Sequence, residues 1–163
     1  MRSFVNQLTR CDHLLAKGDG WLLIALVVVM TVVVLLQVIY RYALARPLDW
    51  SEELARYLFV WISILGAALS VQCRGHFGMD FFFRMLPERG RRFLIFLIYF
   101  LMGAVILVIL LEGIFLVQKT MAQRSPAMEI SMGWAYACLP VGAGLMALHL
   151  VAIIMKEAVE KHG

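Results

Sequence analysis

Long apolar runs alternate with short polar segments along this chain, and four of the runs are long enough to cross a membrane. A helix that crosses the hydrocarbon core needs about 20 predominantly apolar residues. The pattern therefore predicts an all-α integral membrane protein, with one four-helix membrane domain over residues 1–163 and amphipathic interfacial helices beside the spans. The predicted spans cover about residues 21–42, 57–73, 93–113 and 134–155.

The polar segment that precedes the second span has helical periodicity. Its apolar residues recur at spacings of three and four, and its charged residues gather on the opposite face. The pattern predicts an interfacial helix at about residues 48–57 on the outer membrane surface, leading into the second span. The charged face consists of Asp49, Glu52 and Arg56, and the apolar face of Trp50, Leu54, Tyr57, Leu58 and Trp61.

The segment before the first span also carries a helical pattern. Its apolar residues recur at spacings of three and four, which predicts a cytoplasmic helix lying on the membrane surface, with a frayed segment as the alternative interpretation. The charged residues of this segment, Asp12 among them, lie elsewhere on the helical wheel. The apolar positions are Phe4, Leu8, Cys11 and Leu15.

Residues 74–92 are predicted to form a cytoplasmic loop between the second and third spans. His76 and Asp80 lie four residues apart in this loop and could share a helix face. Two ligands alone make a weak metal site. We therefore favour an interfacial helix with a polar edge, which Pro87 would end.

Composition indicates a lipid environment. Hydrophobic residues make up 63% of the chain and charged residues 16%, below the quarter or so that is usual in soluble domains. The net charge is +4, but the basic residues do not form a stripe free of apolar runs. Nucleic acid is therefore excluded as a partner, and membrane lipid is expected. Residues 43–45 resemble a signal-peptide cleavage site, but the apolar run is too long for a signal peptide and Arg41 precedes the site.

The distribution of basic residues predicts the orientation in the membrane. Ten of the 15 Lys and Arg residues fall in the two terminal segments and the 74–92 loop, and five fall on the opposite side. The positive-inside rule then places both termini in the cytoplasm.

Ionisable residues are scarce inside the predicted spans, where a charge would mark a candidate functional site. Glu112 lies toward the outer end of the third span, and His149 toward the cytoplasmic end of the fourth. A single intramembrane histidine cannot ligate haem by a bis-His pattern, and the cysteines show neither CxxC nor zinc spacing. No residue is therefore assigned to catalysis, a cofactor or a metal, and no enzymatic activity is expected. The cysteines, interpreted as packing residues or unreactive thiols, are Cys11, Cys73 and Cys138.

Small residues at a spacing of four predict close helix–helix packing in two spans. Pro140 is predicted to kink the fourth span, because proline removes a backbone donor and crowds the preceding turn. The small pairs are Gly66 with Ser70, and Ala143 with Ala147 beside Gly142 and Gly144.

A family resemblance lies in residues 37–82, QVIYRYALARPLDWSEELARYLFVWISILGAALSVQCRGHFGMDFF. The segment resembles the central motif of DctQ-type proteins, the small membrane subunits of tripartite ATP-independent periplasmic (TRAP) transporters. The four-span layout and the sequence LPVGAGL in the last span extend the resemblance over most of the chain. The matching elements are Arg41-Tyr42, Trp50 with Glu52-Glu53-Leu54, Gly66-Ala67-Ala68, and His76 followed by Asp80.

The resemblance implies a non-catalytic scaffold in the bacterial inner membrane. Such a subunit forms a heterodimer with a large, elevator-type permease subunit, in which sodium is expected. A periplasmic substrate-binding protein delivers the substrate, an organic acid such as a C4-dicarboxylate, sialic acid or a sugar acid. No cofactor is expected in this chain.

The resemblance and the predicted outer location together favour a docking surface for a partner protein on the charged segment before the second span. A solvated, well-capped turn is the alternative interpretation. Another function class stays open: an independent homo-oligomeric transporter or channel, with Gln37, Glu112 or His149 facing the pore. The residues assigned to docking are Arg41, Trp50, Glu52, Glu53 and Arg56, and the cytoplasmic family motif is assigned to His76 and Asp80.

Overall fold

Helices make up most of residues 2–72 and 87–161, the part of the chain that the computed structural model describes. Four helical stretches are long and apolar enough to cross a membrane: Leu14–Tyr42, Asp49–Gln72, Gly90–Thr120 and Met132–Met155. The predicted all-α membrane fold is confirmed. The helices are α1 (Arg2–Tyr42), α2 (Asp49–Gln72), α3 (Glu88–Thr120), α4 (Met132–Tyr136) and α5 (Cys138–Lys161).

α1 is a single unbroken helix of 41 residues, so the amino-terminal segment continues directly into the first span. The surface helix predicted for this segment is replaced by a helix with an inward-facing polar side. Leu14 and Leu15 are exposed, whereas Asp12 and Asp19 contact His149 of α5. The carboxylates of Asp12 and Asp19 therefore have a buried partner, His149, which the spacing of apolar residues in this segment does not predict.

The segment predicted as a separate interfacial helix, residues 48–57, forms the first turns of α2 instead. α2 begins at Asp49 and runs without a break into the second span. No proline or glycine occurs in it before Gly66, so nothing in the sequence interrupts the helical backbone.

α3 begins at Glu88, directly after Pro87, which has an extended backbone. The end of the predicted 74–92 loop is therefore the first turn of this helix. The rest of that loop, with His76 and Asp80, lies outside the described residues.

α5 occupies the centre of the bundle and packs against α1, α2 and α3. α1 lies on one side, against α2 and α5, and α3 lies on the other, against α4 and α5. The faces of α1 and α3 that point away from these contacts are apolar and exposed. These two helices therefore form the flanks of the bundle. The core between α2, α3 and α5 contains Ala68, Ile106, Ala143, Met146 and Leu150.

Two glycines bring helix backbones close together. A Cβ atom at Gly142 would lie 2.1 Å from Cγ2 of Ile64, so α2 and α5 approach each other through this glycine. A Cβ atom at Gly113 would lie 2.9 Å from Cβ of Leu139 and 3.1 Å from the backbone nitrogen of Pro140. The middle of the bundle is therefore closely packed from α2 through α5 to α3.

The small residues predicted to mediate packing differ in their positions. Gly142 and Ala143 are buried against neighbouring helices. Gly66 faces α1, whereas Ser70 is exposed. A Cβ atom at Gly144 would meet nothing within 4 Å, so this glycine does not set a helix distance.

The fourth span is interrupted at Ala137, between α4 and α5. Pro140 lies in the first turn of α5. It has no N–H group to donate to the carbonyl of Tyr136, and its ring crowds the turn that contains Tyr136. The chain continues through the interruption because the N–H of Ala137 donates to the carbonyl of Gly133 at 2.9 Å. The kink predicted at Pro140 therefore corresponds to an interruption of the helix about one turn earlier, at Ala137.

Candidate functional site

Two loops lie at one end of the bundle, which we call the loop end: residues 43–48 after α1 and residues 121–131 after α3. The beginning of α1 and the end of α5 lie toward the opposite end, which we call the terminal end. α1 ends at Tyr42, and Ala45, three residues later, adopts a left-handed backbone with φ 50°. The N–H of Arg46 then donates to the carbonyl of Tyr40 at 3.1 Å, which closes the end of the helix.

Residues 121–131 fold back on themselves as a compact loop. Arg124 and Ser131 form an antiparallel bridge, and the N–H of Ser125 donates across the loop at 2.8 Å. Glu129 reverses the chain with φ 55°, and Nη1 of Arg124 donates to its carbonyl oxygen at 2.9 Å. These internal hydrogen bonds give the loop a defined shape.

Glu53 fastens this loop to α2. Its side chain is 8% exposed, and Oε2 accepts hydrogen bonds from the N–H groups of Ala127 at 3.0 Å and Met128 at 3.2 Å. Oε1 accepts a hydrogen bond from the hydroxyl of Tyr57, one helical turn later. The buried hydroxyl of Ser125 lies beside the same pair. An ionised carboxylate only accepts hydrogen bonds, so it suits a site where three donors converge.

The other residues assigned to docking lie on the surface of the loop end. Arg41 is exposed in the last turn of α1, where a basic side chain suits the helix dipole. Glu52 and Arg56 are exposed one turn apart on α2, and Trp50 is also exposed. The structure therefore brings a carboxylate, two guanidinium groups and an indole to one accessible end of the protein.

Glu53 differs from this exposed group, although the sequence pattern places it among the same charges. Adjacent residues of an α-helix point about 100° apart, so Glu52 and Glu53 cannot share a face. Glu53 faces inward and has a structural role in the described part of the chain. The spacing of four between Glu53 and Tyr57 is the sequence signal for this contact.

A second polar cluster lies toward the terminal end, where α1 meets α5. His149 is fully buried, with Nδ1 2.5 Å from Oδ1 of Asp12 and Nε2 3.6 Å from Oδ2 of Asp19. In the sequence His149 looks isolated, because both aspartates precede the first predicted span. Their separation of seven residues, two helical turns, is the signal that places them on one face. No three His, Cys, Asp or Glu residues in the described ranges are arranged to hold a metal ion.

Residues 30–159 match the family described as Tripartite ATP-independent periplasmic transporters, DctQ component. The chain belongs to the DctQ family. The resemblance seen in the sequence is therefore confirmed. The DctQ region includes the whole loop end with Glu53, and it includes His149, whereas Asp12 and Asp19 precede it.

Named relatives of this DctQ chain are permease proteins of TRAP transporters. SiaT, a sialic acid TRAP transporter permease protein of Haemophilus influenzae, is 30% identical over 135 residues, covering 83% of this chain and 22% of that protein. SiaQ, the sialic acid TRAP transporter small permease protein of Vibrio cholerae, is 32% identical over 111 residues, covering 65% and 61%. DctQ, the C4-dicarboxylate TRAP transporter small permease protein of Rhodobacter capsulatus, is 32% identical over 109 residues, covering 65% and 48%.

This DctQ chain spans less than two thirds of the length of each of these relatives. Membership of the family and four membrane-crossing helices fit a multi-pass protein of the bacterial inner membrane.

Proposed function

We propose that this chain is the non-catalytic small subunit that pairs with a large, elevator-type permease subunit. The observation that carries the proposal is a closely packed bundle with two apolar flanks. α2, α3 and α5 meet through the glycine contacts at Gly113 and Gly142, while the outer faces of α1 and α3 stay exposed. A carrier domain that moves across the membrane needs a support that stays fixed in the membrane. A close-packed bundle with broad apolar sides can bind that partner on one side and lipid on another.

The proposed orientation puts the loop end in the periplasm and both termini in the cytoplasm, following the distribution of Lys and Arg. The exposed group at the loop end, Arg41, Trp50, Glu52 and Arg56, then faces a periplasmic substrate-binding protein. Charges of both signs around an aromatic side chain suit orientation of a protein partner during association. Glu53 would support this surface indirectly, because it holds loop 121–131 against α2.

The proposed substrate is an organic acid that enters with sodium, both bound by the large subunit. Relatives of this chain are named for sialic acid, isethionate and C4-dicarboxylate, which are all organic anions. This chain would contribute support and docking, without a cofactor of its own. A pore formed by copies of this chain alone gains no support from His149, which is enclosed between carboxylates of the same chain.

Co-expression tests the pairing. The tagged chain should co-purify with the large permease subunit as a heterodimer, and cells that also contain the binding protein should take up the organic acid. Deleting this chain should abolish uptake, because the carrier would lose its support. The chain alone in liposomes under a sodium gradient should show no flux. Flux by the chain alone, or full uptake in its absence, would contradict the proposal.

Charge reversal tests the docking surface. Glu52→Lys should lower the rate of uptake severalfold while leaving the amount of heterodimer in the membrane unchanged, because a charge at the rim of an interface chiefly affects association. Glu88→Lys is the matched control, since Glu88 is also exposed but lies at the terminal end. Equal uptake by wild type and Glu52→Lys would remove Glu52 from the docking surface.

A further inference from the structure

The outer face of α3 carries an acidic residue inside the membrane-crossing part of the helix. Glu112 is exposed and directly follows an uncharged run, residues 93–111. The adjacent Gly113 packs against Leu139 of α5, about two helical turns inside the span that begins at Met132. Glu112 therefore lies at the level of the packed helices and not in a loop at their end.

The Glu112 carboxylate has no hydrogen-bond or salt-bridge partner among the residues that the structure describes. The next charged residue of α3 toward the loop end, Lys119, lies two turns away, and its ammonium group lies over the ring of Phe115, 4.2 Å from the centroid. The positions one turn before and one turn after Glu112 are all apolar: Val108, Ile109, Phe115 and Leu116. The described part of the chain therefore supplies no donor to this carboxylate.

The two flanks of the bundle differ in how well they suit lipid. An acidic side chain in the hydrocarbon region is costly, and such residues usually face protein and pair with another group. On α1 no charged residue occurs between Trp21 and Tyr40, and the exposed hydroxyl of Thr31 donates to the carbonyl of Val27 at 2.8 Å. The outer face of α1 can therefore contact lipid without an unpaired polar group, whereas the outer face of α3 presents a carboxylate that requires a donor.

Exposed residues of α3 form a regular stripe that includes Glu112. They recur at alternating spacings of four and three, the spacing at which the side chains of two helices interlock. Each apolar member is more than half exposed. A single polar residue in such a stripe favours the one partner and the one register that pair with it. The stripe, which we call the α3 seam, consists of Leu101, Val105, Val108, Glu112, Phe115 and Lys119.

We propose that the α3 seam binds a membrane-crossing helix of the large permease subunit, and that a basic side chain of that helix pairs with Glu112. The inference rests on the function proposed above and adds which flank of the bundle binds the partner. A second copy of this chain does not fit the seam, because a two-fold axis through the contact would place two Glu112 carboxylates opposite each other. Like charges in such a contact repel.

Replacing Glu112 with leucine distinguishes a carboxylate that faces the partner from one that faces lipid. The affinity of the two subunits can be measured by fluorescence energy transfer in bilayers at increasing lipid dilution. Glu112→Leu should weaken it severalfold, because the basic group of the partner would be left unpaired. A carboxylate that faced lipid would give unchanged or higher affinity, since leucine is favourable in hydrocarbon, and that result would overturn the proposal. Thr31→Leu, the matched control on α1, should keep the wild-type affinity.

Photocrosslinking locates the interface while Glu112 stays in place. Benzoylphenylalanine introduced at Val108 of the seam should crosslink to the large subunit, whereas the same group at Val32, which is also exposed but lies on α1, should not. A heterodimer that crosslinks from Val32 and not from Val108 would overturn this inference and leave the proposed function intact. Crosslinks from Val108 to a second copy of the chain, or to lipid alone, would also overturn it. If no heterodimer forms with the wild-type chain, the proposed function fails as well.

Discussion

Replacing Gly142 with alanine should destabilise the bundle by about 1–3 kcal/mol. The new Cβ atom would lie 2.1 Å from Cγ2 of Ile64 and 3.5 Å from its Cβ. Isoleucine is branched at Cβ and has few accessible χ1 rotamers, so its methyl group cannot simply move aside. Either α2 and α5 separate or Ile64 adopts a strained rotamer. Denaturant titration of the full chain in detergent micelles measures the change in the free energy of unfolding.

Gly144→Ala is the matched control, because it adds the same methyl group to α5 at a point with nothing within 4 Å. It should not lower the free energy of unfolding, because alanine is more favourable than glycine in a helix interior by about 0.5–1 kcal/mol. Ile64→Leu removes the Cγ2 branch while keeping the side-chain volume. Combined with Gly142→Ala, it should recover much of the lost stability. Equal losses from both glycine substitutions, or no recovery in the double variant, would show that the close contact does not exist.

Replacing Glu53 with alanine should release loop 121–131 from α2. The N–H groups of Ala127 and Met128 and the hydroxyl of Tyr57 would all lose their acceptor at once. Donors left without a partner are costly where water has little access. Hydrogen–deuterium exchange should report the loss as a severalfold faster exchange of the backbone amides of residues 127 and 128. Glu53→Gln should give a smaller increase, because its amide keeps one acceptor oxygen.

Glu52→Ala provides the comparison for this experiment, since it removes the adjacent carboxylate from the exposed face of the same helix. Exchange in the loop should stay at the wild-type rate in that variant. If Glu52→Ala and Glu53→Ala accelerate exchange equally, the loop responds to the charge of this segment and not to the hydrogen bonds of Glu53.

The membrane-crossing helices could be predicted from the sequence because each depends on a local property, a run of apolar residues long enough for the hydrocarbon core. The break near Pro140 is local in the same sense, since it follows from the missing N–H of one residue. The exposure of Glu52 and Arg56 follows from their spacing of four on an amphipathic segment. These features need no knowledge of which helices are neighbours.

The contacts of Glu53 and His149 could not be predicted in this way. Glu53 bonds to residues 74 and 75 positions later in the chain, and His149 pairs with Asp12 across 137 positions. Such partners become visible only when the order of helices in the bundle is known. α3 begins at Glu88, five residues before the predicted span, because its polar first turn is helical as well; Pro87, directly before it, has an extended backbone.

The lengths of the two flanking helices have a consequence for the surrounding bilayer. At about 1.5 Å per residue, the 41 residues of α1 extend roughly 60 Å and the 33 residues of α3 roughly 50 Å, whereas the hydrocarbon layer is about 30 Å thick. Both helices must therefore tilt or protrude into the headgroup region. Hydrophobic mismatch depends on the apolar stretch alone, and the uncharged run of α1, residues 21–40, is itself about 30 Å long. The surplus of α1 is therefore its polar amino-terminal part, which must extend beyond the hydrocarbon layer.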